Sequence, residues 1–210
     1  SDIGYLTEVQ GNYPEALRMY QHSLEIRQKI GDKKGIAYSL NNIGALYWRL
    51  EKTNEALDNY QQAIAYFEKS GLKEEQAITL GNMGVIFSNL KQYEQALKYN
   101  NQALALNREL GNTIYEATNL NNIGKILVAQ NKTDIAIDHF RKAIGMQLII
   151  SDRDGLALSH YNLGCALSIK GDVEESNRHL AQCEKLCKQT KRIHLQANAL
   201  KKLSENYATI

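Results

Sequence analysis

Five histidines and three cysteines are the side chains of this 210-residue chain most suited to metal or covalent chemistry. His179, Cys183 and Cys187 stand at i, i+4 and i+8, which puts all three on one helix face and suggests a metal. Ligands strung along about 12 Å of straight helix cannot converge on one tetrahedral ion. Cys183 also falls in a column otherwise rich in alanine, so it reads as a small buried apolar residue. His160 takes a leucine column and reads as a packed core histidine. The chain has no Gly-rich phosphate loop, nucleophile elbow or paired carboxylates with a shared pocket. The expectation is a chain that is not an enzyme and needs no cofactor.

The chemistry that remains is that of amides. Asn42, Asn82, Asn122 and Asn162 follow one another at a constant step of 40 residues. Asparagine is a mediocre helix former, yet each of these sits in a helical pattern. A carboxamide offers two donors and an acceptor. A column of them can hold both the N–H and the C=O groups of an extended peptide and leave side-chain choice to its neighbours. The competing reading is structural: each amide bonds the backbone of the adjacent repeat.

Composition narrows the classes. Lys plus Arg is 25 and Asp plus Glu 23, a net charge of +2, without the basic stripe of a nucleic-acid binder. No stretch approaches the ~18 unbroken apolar residues of a membrane span. With 43% hydrophobic residues a packed core is expected, and a single proline points to long helices. The odd cysteine count fits a reducing, cytoplasmic setting rather than a disulfide framework. The chain opens on Ser1, and is expected to be a piece of something longer.

The elements that position the amides come from a repeat. Asn41-Asn42-Ile43-Gly44 returns as Gly81-Asn82-Met83-Gly84, Asn121-Asn122-Ile123-Gly124 and Tyr161-Asn162-Leu163-Gly164. Glu15-Ala16-Leu17, Glu55-Ala56-Leu57 and Gln95-Ala96-Leu97 keep the same step, as do the breaks at Gly31, Gly71 and Gly111. Repeats are expected over about 1–31, 32–71, 72–111, 112–151 and 152–191 of a single array, with 192–210 starting a sixth repeat or a capping helix. In the second repeat Leu40, Ile43, Tyr47 and Leu50 share one face at ~100° per residue. After a polar break, Ala56, Leu57, Tyr60, Ala63, Ile64 and Phe67 form a second stripe. Thr53 or Asn54 is expected to cap that second helix, Pro14 to open its counterpart, and Asp32 to cap the next first helix. The glycines at 31, 71 and 111 suit the left-handed residue after a helix. Each repeat is therefore a pair of antiparallel helices. Such a pair buries its apolar face only by stacking on the next, which predicts an all-α, right-handed α-solenoid with a concave surface lined by the first helices.

The sequence Leu40, Gly44, Tyr47, Ala56, Tyr60, Ala63, with Leu120, Gly124, Leu127, Ala136, Phe140, Ala143 two periods on, resembles the tetratricopeptide repeat. Asn100 departs from it, standing where an aromatic is expected. The usual period is 34 residues. A period of 40 with Asn-x-Ile/Leu-Gly is similar to the extended subclass of kinesin light chain, the partner-of-inscuteable adaptors and bacterial signalling arrays. The resemblance implies a binding scaffold in which asparagines of this column grip bound peptide backbone.

On the wheel of the second repeat, Tyr38, Asn41, Asn42, Trp48 and Arg49 lie opposite the core stripe. With Asn82, Asn89, Asn121, Asn122, Lys125, Tyr161 and Asn162 from later repeats, they form the candidate peptide-binding set. The expected function is a protein–protein scaffold taking a partner segment in the concave groove, without nucleic acid or membrane. The alternatives are a sensor module of a bacterial signalling protein and a homo-oligomer formed through apolar terminal repeats.

Overall fold

A computed structural model describes residues 2–208, with side chains from Gly4 onward. Ser1, Thr209 and Ile210, at the outer limits of the first and last expected repeats, lie outside the described residues. Among those described there are eleven α-helices and no strand. In chain order they are α1 (Asp2–Val9), α2 (Tyr13–Ile30), α3 (Lys33–Arg49), α4 (Thr53–Lys69), α5 (Lys73–Asn89) and α6 (Tyr93–Glu109), then α7 (Thr113–Ala129), α8 (Thr133–Ile149), α9 (Arg153–Lys170), α10 (Val173–Thr190) and α11 (Ile193–Tyr207).

The helix ends follow local chemistry. Asp32 Oδ1 accepts a hydrogen bond from the Gly35 N–H at 2.9 Å, and Asp152 does the same for Gly155 at 2.9 Å. Pro14 sits in the first turn of α2. The expected cap of α4 is displaced: Lys52 is its N-cap residue and makes no side-chain cap bond, while Thr53 and Asn54 are already helical. Glu55 in the first turn still meets the positive end of the helix. Gly31 ends α2 at φ 72, as its position after the helix requires. The turns at Glu51 (φ 59) and Lys91 (φ 59) reach the same left-handed region without glycine.

The chain divides into two compact units, one up to Ile86 and one from Phe87, so that the division falls inside α5. In the first unit Ile36, Ala37 and Leu40 of α3 pack on Ala63 and Phe67 of α4, and Ala16 and Tyr20 of α2 pack on Ile43 and Leu46 of α3. In the second, Leu120, Ile123 and Leu127 of α7, Ala136, Phe140 and Ala143 of α8, and Leu163 and Leu167 of α9 form one core. Ala157, Leu180, Cys183, Cys187 and Ala199 continue it through α9, α10 and α11. The first helices α7, α9 and α11 lie side by side there, each backed by a second helix. The mid-helix glycines let the second helix of each pair come close: a Cβ on Gly124 of α7 would stand 2.5 Å from Phe140 Cε1 of α8. Asn100, in the aromatic column, is fully buried; its Nδ2 donates to the Ala96 carbonyl at 2.9 Å and its Oδ1 has no partner.

Candidate functional site

In the first unit several expected groove residues bond side chains outside the expected set. The Thr79 hydroxyl donates to Asn41 Oδ1 at 2.9 Å, tying α5 to α3. The Tyr38 hydroxyl donates to the Glu75 carboxylate, and its ring packs edge-on against Phe67 at 5.4 Å. That bond and then burial push the Tyr38 hydroxyl up to about 12. Arg49 Nε lies 3.3 Å from Glu8 Oε1, so its charge is already balanced. Asn82 hydrogen-bonds the Tyr60 hydroxyl, which burial holds up at about 12. Asn42 and Trp48 are half-buried on α3.

In the second unit one amide chain runs inward. Asn162 Nδ2 donates to Asn121 Oδ1 at 3.2 Å, Asn121 Nδ2 to Ser159 Oγ at 2.6 Å, and Ser159 Oγ to Gln147 Oε1 at 2.6 Å. Asn121 is 2% exposed and Asn162 8%. Both were expected on an open face; Asn121 instead sits against α9, where small Ser159 leaves it room. On α7 Asn122 is half-buried and Lys125 exposed, and Asn89 is exposed at the end of α5. Tyr161 is half-buried; burial and a hydrogen bond with Cys165 push its hydroxyl up to about 12. Burial likewise raises the Cys165 thiol.

The four asparagines of the column are thus not equivalent. Asn162 and Asn82 bond other side chains, whereas among the described residues no side chain bonds the amides of Asn42 or Asn122. A signal for the difference was present in sequence. Ser39, Thr79, Asn119 and Ser159 form a polar column at the same 40-residue step; Thr79 and Ser159 bond Asn41 and Asn121, whereas Ser39 and Asn119 accept from Arg27 and Asn107. The thiols of Cys183 and Cys187 are buried 3.8 Å apart, and burial raises both. Among the described residues no three metal-ligating side chains converge.

A tetratricopeptide repeat family model matches residues 1–69 and 75–149. The chain belongs to the tetratricopeptide repeat family. No curated protein matches its sequence. Among solved structures it is similar to BtubC (BKLC) from P. vanneervenii, with 21% identity and a TM-score of 0.81 over 90% of this chain and 78% of that one. Aspartyl phosphate phosphatase F from Bacillus subtilis gives 16% identity and a TM-score of 0.88 over 97% of this chain and 53% of that one. A Rap protein complexed with competence and sporulation factor gives 16% identity and a TM-score of 0.79 over 98% and 61%. The chain therefore spans little more than half the length of the last two. At these identities the likeness establishes the repeat fold, and kinesin light chain repeats from Podosopora anserina share it. No helix among the described residues is long and apolar enough to cross a membrane.

Proposed function

We propose that this tetratricopeptide array is a non-catalytic scaffold whose first-helix faces hold an extended segment of a partner protein by its main chain. The observation that carries this reading is Asn122: a helical carboxamide, half-buried on α7, beside exposed Lys125 and without a partner among the described side chains. An amide that no described side chain bonds has its donors and acceptor available to a peptide backbone. Asn42 plays the same part on α3 of the first unit. Trp48 on α3 and Tyr161 on α9, both half-buried, are the aromatic surfaces on which partner side chains rest. Asn162 and Asn121 serve differently: their mutual bond fixes α9 against α7. Competence and sporulation factor bound to a Rap protein of similar fold supports the reading by analogy.

The test is a pair of neighbouring substitutions. Asn122→Ala is expected to weaken partner capture about tenfold, one backbone-gripping amide being worth about 1.5 kcal/mol, and to leave the melting temperature unchanged. Asn121→Ala is expected to do the reverse. Loss of stability in Asn122→Ala, with binding intact, would assign the column to the fold.

A further inference from the structure

The Leu40, Leu80 and Leu120 column carries a histidine in the fifth repeat, and that histidine meets another. His160 Nδ1 on α9 lies 2.8 Å from His179 Nδ1 on α10, with the rings stacked at 5.1 Å between centroids. Two Nδ1 atoms this close need one proton between them: one must be an N–H and the other a lone pair. Glu175 Oε1, 3.7 Å from His179 Nε2, favours the proton of His179 on Nε2. His179 Nδ1 is then the acceptor and His160 Nδ1–H the donor.

We propose that His160 and His179 form a proton-operated latch between α9 and α10, closed while His179 Nδ1 is bare and opened when it takes up a proton. With that proton in place, two N–H groups point at each other 2.8 Å apart, and the rings must separate or turn. The charged groups facing the pair are Arg141 from α8 and Glu175 and Arg178 from α10. Glu175 is held by Arg141 Nη2 at 2.9 Å, so it offers His179 little net negative charge. The site is not closed off: a cleft of about 530 Å³ lined by His160, Glu175, Arg178, His179 and Gln182 opens beside it. Solvent protons therefore reach the rings without unfolding.

The direction follows from the balance of burial and charge. Burial, then the charge of His179, lowers His160 from 6.5 to about 4; burial also lowers His179, with Glu175 opposing it in part. The unfolded chain binds protons at both rings more readily than the folded one. The latch therefore contributes fully above the unfolded histidine value of about 6.5, and its contribution is lost as pH falls through the lowered value of His179.

Thermal melts of the wild-type chain and His160→Leu, at about pH 7.5 and pH 5.5 on either side of the ordinary histidine value, test the latch. Leucine restores the residue of the other repeats, and His22, His139 and His194 are common to both proteins. The wild type is expected to lose about 4 °C more than His160→Leu on acidification. In the wild type the His179 ring resonances are expected to titrate below the ordinary value of about 6.5. Equal pH dependence in the two proteins would overturn the latch. So would ordinary titration of His179, a measurement that holds even if the variant does not fold.

Discussion

Single glycines show how strictly the fold is dimensioned. Gly124 and Gly145 are both helical, yet alanine has opposite consequences at the two. Alanine gains about 1 kcal/mol over glycine in a helix interior. At Gly145 a Cβ meets nothing within 4 Å, so Gly145→Ala is expected to raise stability by up to about 1 kcal/mol. At Gly124 the same Cβ runs into the buried Phe140 ring at 2.5 Å, and overpacking of about 1–3 kcal/mol outweighs the helical gain. Denaturant midpoints of the two variants check the signs. The Gly column was legible in sequence as a site of close approach, and Phe140, Tyr60 and Leu180 are the side chains that approach it. Asn100 was legible as an anomaly. Its buried, unpartnered Oδ1 is the physical form the anomaly takes.

The elements were legible from period and break signals because capping and turn chemistry are local. Asp32 and Asp152 cap α3 and α9 as their positions require. Thr53 misled because threonine is a good cap in isolation; the helix starts one residue earlier, at the cost of a side-chain bond. At Lys91 the turn between α5 and α6 holds φ 59, where a non-glycine residue costs roughly 1–2 kcal/mol. Glycine relieves this but gives up about 0.5–1 kcal/mol to the freer unfolded chain. Lys91→Gly is therefore expected to stabilise by about 0.5 kcal/mol, visible as a small rise in melting temperature. Between elements, the chain from Asn162 through Asn121 and Ser159 to Gln147 joins α9, α7 and α8. Asn121→Ala takes the buried Asn162 Nδ2's acceptor away and leaves Ser159 bonded to Gln147 alone, and is expected to cost about 2 kcal/mol in equilibrium unfolding. Helical wheels placed Asn121 on the open face because they describe one helix at a time. Its orientation is decided by Ser159 on another helix, a contact 38 residues away in sequence.

For the whole molecule, repetition makes the fold plain and hides the differences among its asparagines. A step of 40 residues writes the same letter at Asn42, Asn82, Asn122 and Asn162, while the surroundings give the four different tasks. The proposed peptide grip therefore rests on the members whose amides no described side chain bonds, Asn42 in the first unit and Asn122 in the second. Panning a random peptide display library on the wild-type chain, then measuring the enriched peptides against Asn42→Ala and Asn122→Ala, tests this most directly. Enriched peptides are expected to lose about tenfold in affinity to at least one variant, with both melting unchanged. Peptides that bind both variants as tightly as the wild type, or a library that yields none, would contradict a scaffold that holds its partner through these amides.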